Sequence, residues 1–296
     1  MELITDKVYE VREFYDWALS VSDDRVKDWF LMQAYTPTIV LTVVYLIAVW
    51  LGPKLMENRE PFQLKTPLFI YNIVLVIINF HICSELFLSS WRLNYSYSCQ
   101  PVSYTDDPNE MRIAKALWWF YFSKLVEMLD TIFFVLRKKK NQISFLHVYH
   151  HASMFPIWWI GVKWVAGGQS CFGAMMNSFI HVVMYTYYGL SAMGPGIQKY
   201  LWWKRYLTML QLIQFATGMT HAVVSLWLHC NFPEWMHWAL LLYAFSILLL
   251  FLNFYFHAYI KAKQRKVLKD GGEKQDLFEV AKLFNIHSPP HECERK

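Results

Sequence analysis

The chain has 296 residues, of which 55% are hydrophobic and only 17% are charged, and its formal net charge at pH 7 is +5. This balance excludes an ordinary soluble globular domain, in which about a quarter of the residues are charged. The bilayer is therefore the expected solvent of the chain.

Seven hydrophobic segments follow one another, and each is close to the roughly 20 residues with which an α-helix crosses a bilayer. They cover residues 36–53, 67–90, 113–136, 143–165, 170–193, 206–229 and 235–260. They predict an all-α polytopic membrane protein with seven transmembrane helices, in one membrane domain over residues 36–260. Residues 1–35 are expected to form a lumenal N-terminal segment. Residues 261–296 are polar and begin with basic residues, which predicts a disordered cytosolic tail.

Basic residues cluster in four places, and all four fall on the same side of the predicted spans. The clusters are residues 54–65, 137–140, 199–205 and the segment from 261 onward. Because basic loops stay in the cytosol, the N-terminus is expected in the lumen or outside the cell, and the tail in the cytosol.

The loop after the second span carries two features of lumenal chemistry. Asn94-Tyr95-Ser96 is an N-glycosylation sequon, which makes Asn94 a candidate acceptor. Cys99 follows it, and Cys230 lies in another loop on the same predicted side. A Cys99–Cys230 disulfide suits an oxidising compartment, although the sequence leaves open whether the two backbones approach each other.

The third span is unusually polar for a transmembrane segment. Lys124, Glu127 and Asp130 recur at every third position, so that Lys124 can pair with Glu127 on one helical face. Ionisable groups inside a membrane cost several kcal/mol unless they are paired or hydrated. The stripe is therefore either a structural ion pair or part of a catalytic site, in which the carboxylates could fix histidine tautomers.

The fourth span begins with three histidines in five residues. His147, His150 and His151 stand at positions i, i+3 and i+4, so all three share one face of a helix. A single buried histidine is usually a hydrogen-bonded core residue, but three together indicate a partial metal site or an acyl-transfer site. Of the three, His147 is the one that could still be only structural.

The fifth and sixth spans carry further polar stripes. Those of the fifth span are Asn177, His181, Tyr185 and Tyr188, and those of the sixth are Gln211, Gln214 and His221. Tyr188 has an alternative role as an interfacial anchor, whereas Asn177 and His181 together offer a donor and a proton acceptor to a cavity. The two glutamines are more typical of hydrogen-bonded contacts between helices than of catalysis.

A histidine box also suggests a metal-dependent desaturase or hydroxylase. A di-iron site needs a large ligand set drawn from several boxes, and this chain has only the one. A mononuclear metal site and a non-enzymatic lipid carrier remain as alternatives.

Four segments, taken together, resemble one family. They are KLVEMLDT (124–131), HVYHH (147–151), NSFIHVVMYTYY (177–188) and TMLQLIQ (208–214). Their order and spacing resemble those of the membrane-bound elongases of very long chain fatty acids, which are 3-ketoacyl-CoA synthases, and the resemblance covers nearly the whole chain to about residue 260. One departure is the C-terminus, ECERK, which lacks the di-lysine retrieval signal common in the family.

The resemblance implies a fold, a reaction and a location. Six of the seven spans would ring a closed acyl tunnel, often in a homodimer of the endoplasmic reticulum membrane. The reaction would condense a long acyl-CoA with malonyl-CoA, release carbon dioxide and CoA, and give a 3-ketoacyl-CoA two carbons longer. It implies no metal or redox cofactor, and the other enzymes of the elongation cycle, reductases and a dehydratase, as partners.

The resemblance also implies that the middle histidine of HVYHH, His150, is the nucleophile, forming an acyl-imidazole in a site without water. We expect His181, with Asn177 beside it, to stabilise the enolate that malonyl-CoA forms on losing its carboxylate. Glu127 and Asp130 are expected to orient the other two histidines of the box.

The anionic CoA groups must reach this site from the cytosol. Basic side chains at the cytosolic ends of the third and sixth spans are candidates for binding the CoA phosphates. They are Arg137, Lys138, Lys139, Lys204 and Arg205. Setting the membrane topology is the alternative role of the same residues. The sequence does not determine the length or unsaturation of the acyl chain.

Overall fold

The structure is a computed structural model and describes residues 2–261, which are helical and joined by short loops. The α-helices are α1 Glu2–Ser20, α2 Thr36–Leu55, α3 Lys65–Arg92, α4 Pro108–Glu127, α5 Leu129–Leu136, α6 Phe145–Trp164, α7 Ser170–Ala192, α8 Pro195–Gln198, α9 Lys204–Trp227 and α10 Glu234–Tyr255. Short 3₁₀ helices cover Asp24–Val26 and Lys140–Gln142, and a π-helix, Phe256–Lys261, continues α10. The predicted tail, residues 262–296, lies outside the described residues.

Helices occur at all seven predicted spans. Within residues 2–261, four helices are long and apolar enough to cross a membrane, namely α2, α3, α9 and the continuous segment Glu234–Lys261. The other three predicted spans are those of α4 with α5, α6 and α7. They include the polar stripes, and polar stripes lower the mean hydropathy on which a span is recognised.

The third predicted span is two helices rather than one. α4 ends at Glu127, Met128 forms a turn, and α5 begins at Leu129. This break falls between the Glu127 and Asp130 carboxylates. Asp107 is the N-cap of α4, and its side chain accepts hydrogen bonds from the backbone N–H groups of Asn109 and Glu110.

The helix α2 buries polar side chains and exposes apolar ones, which is the reverse of an amphipathic helix in a soluble protein. Its buried side chains are polar or amphipathic, Thr38, Thr42 and Tyr45, at positions i, i+4 and i+7. Large apolar side chains such as Val44 and Ile47 are exposed instead. A helix in lipid has no reason to hide its apolar face, so its polar groups turn toward hydrogen-bond partners in the protein.

The helix α3 packs most extensively against α7, and next against α4. Tyr71 meets Tyr185 in an edge contact, whereas Cys171 Sγ lies 3.8 Å from the Leu86 carbonyl oxygen, so α3 and α7 run antiparallel. The pair approaches closely where Gly189 faces Asn72, since a Cβ on Gly189 would lie 3.4 Å from the Asn72 Cβ. α7 also packs against α9, and α6 packs against α2 and α4.

A disulfide joins two loops on the predicted lumenal side. Cys99 and Cys230 are bonded, with Cα atoms 5.4 Å apart, across 131 positions of the chain. Beside the bridge, Gln169 Nε2 donates to the Ser98 carbonyl oxygen at 3.0 Å and to Ser225 Oγ at 2.7 Å. The segment before α7 is thereby tied to both disulfide-linked loops.

The chain divides into two compact units, Met1–Leu248 and Leu249–Lys296. The first contains all the residues of the predicted site. Of the second, the structure describes residues 249–261.

Candidate functional site

The centre of the site is a buried ion pair on α4. Lys124 Nζ lies 2.9 Å and 3.1 Å from the two carboxylate oxygens of Glu127, and these side chains are 1% and 0% exposed. This is the pairing that the i, i+3 spacing predicts. Because a buried charge without a counterion is very costly, each member of the pair retains the other in its ionised form.

Two side chains of α7 complete this cluster. Lys124 Nζ donates to Asn177 Oδ1 at 3.2 Å, and His181 Nδ1 lies 3.2 Å from Glu127 Oε1. Because an ammonium can only donate, Lys124 fixes the Asn177 amide and leaves its Nδ2 group as a donor for another partner. Because a carboxylate can only accept, His181 carries a proton on Nδ1, and the neutral ring leaves Nε2 with a lone pair.

The partners of the two carboxylates differ from the prediction, which assigned them to the histidine box on α6. Glu127 contacts His181, and Asp130 Oδ2 accepts a hydrogen bond from the Tyr185 hydroxyl at 3.0 Å. The physical reason is that both carboxylates lie against α7, and the sequence does not show that α4 and α7 are neighbours.

The three histidines of α6 lie together at its first turns. The ring centroids of His147 and His151 are 4.4 Å apart, and those of His150 and His151 are 5.2 Å apart. Ser144 begins the helix by accepting a hydrogen bond from the His147 backbone N–H, which places the box directly after the cap. His151 is buried, whereas His147 and His150 are partly exposed.

A chain of hydroxyl groups reaches His147 from α5 and α2. Thr131 Oγ1 lies 2.8 Å from His147 Nε2, and the Tyr45 hydroxyl lies 2.9 Å from Thr131 Oγ1. Tyr45 is 4% exposed and Thr131 is 0% exposed, so water does not compete for these bonds. His147 therefore has one nitrogen committed to the protein.

His150 and His151 differ from the other two predicted catalytic histidines, His147 and His181. Within residues 2–261 neither the His150 ring nor the His151 ring has a hydrogen-bond partner, whereas His147 Nε2 and His181 Nδ1 both do. Of the two unbonded rings, His151 is buried and His150 is partly exposed, on a helix that packs against α4 with its ion pair. An imidazole with no structural hydrogen bond is available for chemistry.

The sixth-span stripe is only partly near this cluster. Gln211 Nε2 lies 3.5 Å from the sulfur of Met184, one turn from His181 on α7, and Gln214 is partly exposed. His221 stacks on Phe172, with ring centroids 4.4 Å apart. Phe172 precedes His181 by nine residues of α7, or about 13 Å at 1.5 Å per residue, so His221 lies away from the ion pair.

The two predicted tyrosines of the fifth span differ in burial. Tyr185 is fully buried against Asp130, whereas Tyr188 is 40% exposed. The exposed fraction of Tyr188 fits the interfacial position that is its alternative role.

The basic residues at the end of α5 are not equivalent. Lys138 Nζ donates to the backbone carbonyl oxygens of Glu57 and Arg59, both at 2.9 Å, which commits it to holding the loop after α2. Arg137 is partly exposed at the end of α5, and Lys139 is exposed. At the start of α9, Lys204 and Arg205 are exposed as well.

Sequence reasoning missed Tyr45, and it includes Thr131 only as the last residue of the segment KLVEMLDT. The signal was present in α2, where Thr38, Thr42 and Tyr45 recur at helical spacing in an otherwise apolar window. Hydroxyl groups at that spacing in a span indicate the face that turns toward protein.

The chain matches the model of the GNS1/SUR4 family over residues 30–267. It is 61% identical over 257 residues to very long chain fatty acid elongase 4 of Mus musculus, covering 87% of this chain and 82% of the mouse protein. It is 56% identical over 269 residues to elongase 4 of Homo sapiens, covering 91% of this chain and 86% of the human protein. It is 48% identical over 261 residues to very long chain fatty acid elongase 2 of Mus musculus, covering 88% and 89%.

These matches define a condensing enzyme of fatty acid elongation, a 3-ketoacyl-CoA synthase. The chain belongs to the GNS1/SUR4 family of multi-pass membrane proteins.

Proposed function

We propose that the enzyme condenses a long or very long chain acyl-CoA with malonyl-CoA in two stages, through an acyl group carried on His150. The observation that supports this proposal is the His150 ring, which is partly exposed and has no hydrogen bond within residues 2–261, on a helix packed against α4 with its Lys124–Glu127 pair. The free thiols within residues 2–261 are Cys83 on α3 and Cys171, and Cys171 is buried against the Leu86 carbonyl, ten positions from His181.

In the first stage a nitrogen lone pair of His150 attacks the thioester carbon, and CoA leaves as its thiolate. The imidazole must lose its N–H proton to become a neutral acyl-imidazole, and we assign the lone pair on His181 Nε2 as the acceptor of this proton. Glu127 stabilises the imidazolium that results, because its carboxylate accepts from the other ring nitrogen. The bound acyl chain would cover the partly exposed His150 ring and keep water from hydrolysing the acyl-imidazole.

In the second stage malonyl-CoA loses its carboxylate as carbon dioxide and becomes an enolate. The His181 imidazolium and the Asn177 Nδ2 group are the donors for the enolate oxygen. The enolate carbon then attacks the acyl carbon, and His150 leaves and recovers its proton from His181. The products are a 3-ketoacyl-CoA two carbons longer, carbon dioxide and CoA.

We place the substrate between a cytosolic entrance and a closed lumenal end. Arg137, Lys139, Lys204 and Arg205 would bind the CoA phosphates. Six of the seven spans would surround the acyl chain, and the Cys99–Cys230 bridge with Gln169 would close its far end. The N-terminus would be lumenal and the tail cytosolic, in the endoplasmic reticulum membrane, and Asn94 would be available for glycosylation.

The test uses purified protein and acyl-CoA without malonyl-CoA. Intact-mass and peptide mass spectrometry should find an acyl adduct on His150 in the wild type and none in His150→Ala. His81→Ala is the matched control, because His81 is exposed on α3. An adduct of wild-type yield in His150→Ala, together with near-normal turnover, would refute the assignment.

A further inference from the structure

The hydroxyl groups of α2 form two separate contacts with the neighbouring helices. The Tyr45 hydroxyl lies 2.9 Å from Thr131 Oγ1 on α5, and the Tyr121 hydroxyl of α4 lies 2.7 Å from Thr38 Oγ1. All four side chains are nearly or fully buried, with exposed fractions of 4% for Tyr45 and 0% for the others. The two contacts are chemically alike, a tyrosine hydroxyl bonded to a threonine hydroxyl between two helices.

Only one of these contacts continues to a histidine. Thr131 Oγ1 lies 2.8 Å from His147 Nε2, so Tyr45, Thr131 and His147 form a three-member chain. Thr131 has a single hydroxyl proton. It can therefore donate to Tyr45 or to His147, but not to both at once.

The Tyr45 hydroxyl selects between these two arrangements. If Thr131 donated to Tyr45, the buried Tyr45 proton would need another acceptor, and among residues 2–261 its hydroxyl has no hydrogen-bond partner besides Thr131. With Tyr45 as donor, Thr131 donates to His147 Nε2, and both hydroxyl protons are used in hydrogen bonds. The neutral His147 ring then carries its proton on Nδ1.

We infer that Tyr45 is a positioning residue of the condensing reaction, acting through Thr131 to fix the ring orientation and the Nδ1–H tautomer of His147. This inference rests on the proposed function, in which the histidine box is the catalytic site. His147 stands one turn before His150 on the same face of α6. Its Nδ1–H group thus offers a fixed donor beside the histidine that receives the acyl group, where the thioester oxygen becomes negatively charged.

The test compares Tyr45→Phe with Tyr121→Phe in full-length protein in detergent or nanodiscs. Each substitution removes one buried hydroxyl and keeps the ring, so both should lower the thermal midpoint by similar amounts. A group that hydrogen-bonds to one nitrogen of a functional histidine orients the ring, and its removal typically lowers activity by about 10-fold to 100-fold. Tyr45→Phe should therefore lower kcat by about 10-fold with little change in KM, whereas Tyr121→Phe should retain kcat. Equal kcat values for the two variants would overturn the inference and leave the proposed function standing.

Substitutions at Thr131 test the middle of the chain. Thr131→Ser keeps a hydroxyl and should retain most of kcat, whereas Thr131→Val keeps the shape and should lose at least as much as Tyr45→Phe. A double-mutant cycle then asks whether Tyr45 acts through His147. Tyr45→Phe should have no further effect on kcat in a His147→Ala background. A full 10-fold loss there would mean that Tyr45 acts by another route, and the inference would fail. If His150→Ala were as active as the wild type, the proposed function would fail separately from this result.

Discussion

At the scale of single residues, the paired charges of α4 are the strongest constraint on the site. Lys124 and Glu127 are each other's counterion, and the Glu127 carboxylate also contacts His181 Nδ1. The i, i+3 spacing in the sequence is enough to predict the pair, because both members lie on one helix. The contact with His181 could not be predicted, because it depends on which helices are neighbours and not on any spacing within one of them.

Removing one member of this pair should be more harmful than removing both charges. Lys124→Met leaves the Glu127 carboxylate buried without its ammonium, which should lower the free energy of unfolding by about 3–5 kcal/mol. The double variant Lys124→Met with Glu127→Gln removes both charges of the pair and should recover a large part of that loss. Thermal unfolding in detergent, followed by tryptophan fluorescence, measures the difference. Both variants should lose activity, since Glu127 holds His181.

The control for this comparison is the Arg112–Glu85 ion pair, in which the Arg112 side chain is 41% exposed. Arg112→Met should change the thermal midpoint much less than Lys124→Met does, because water can replace the lost partner of an exposed charge. A double variant on α4 less stable than Lys124→Met alone would contradict the account of the buried pair.

Two consecutive basic residues at the end of α5 should respond differently to neutralisation. Lys138→Met removes the ammonium that binds the Glu57 and Arg59 carbonyls, so it should lower the thermal midpoint and leave KM for the CoA substrates close to the wild-type value. Arg137→Gln should instead raise KM for acyl-CoA and malonyl-CoA several-fold, and added salt should reduce the difference between Arg137→Gln and the wild type. Steady-state kinetics at two ionic strengths measure KM for the CoA substrates in both variants and in the wild type. Equal losses of stability and of substrate affinity in Arg137→Gln would favour a role in topology alone.

At the scale of helices and loops, hydropathy predicts the positions of the helices. The residue types around Met128 do not predict the break in the third predicted span. The segment around Met128 contains neither proline nor glycine, the residues that usually mark a kink. The break lies among the buried contacts of Lys124, Glu127 and Asp130, which are tertiary contacts. In contrast, the face of α2 that packs against protein can be predicted from the sequence at Thr38, Thr42 and Tyr45, because the polar side of a membrane helix faces protein.

The loop before α7 contains a glycine whose replacement should be costly. Gly168 has φ +55, and a Cβ there would lie 2.7 Å from the Gln100 carbonyl oxygen and 2.8 Å from the Val102 nitrogen, both backbone atoms. Gly168→Ala combines a left-handed conformation with a contact that a side-chain rotation cannot relieve. We expect a loss of several °C in the thermal midpoint and reduced yield of folded protein.

Gly173, five residues later within α7, is the matched control. Nothing lies within 4 Å of a Cβ at this position, and alanine favours a helix by about 0.5–1 kcal/mol over glycine. Gly173→Ala should therefore leave the thermal midpoint unchanged or raise it. If Gly168→Ala were as stable as Gly173→Ala, the loop would not be held against residues 100–102 as described.

At the scale of the whole molecule, the disulfide closes a loop that contains most of the proposed catalytic site. Cys99 and Cys230 are separated by 131 positions, and the helices that carry Lys124, His150 and His181 lie between them. Loss of a bridge over a long loop typically costs about 2–4 kcal/mol, because the unfolded chain gains freedom. A chain whose helices remain inserted in the bilayer gains less freedom than one in water. We therefore expect the lower end of this range, about 2 kcal/mol, for Cys99→Ser with Cys230→Ser.

The bridge should matter for stability and not for the chemical step. The ion pair and its contacts with Asn177 and His181 join α4 directly to α7, so these helices do not depend on the disulfide-linked loops for their registry. The double serine variant should therefore show a lower thermal midpoint in detergent and a wild-type kcat at temperatures well below it. Cys83→Ser, which removes a free and partly buried thiol, controls for the loss of a cysteine. A large fall in kcat with an unchanged midpoint would contradict this division, because it would mean that the disulfide-linked loops position the catalytic groups from a distance.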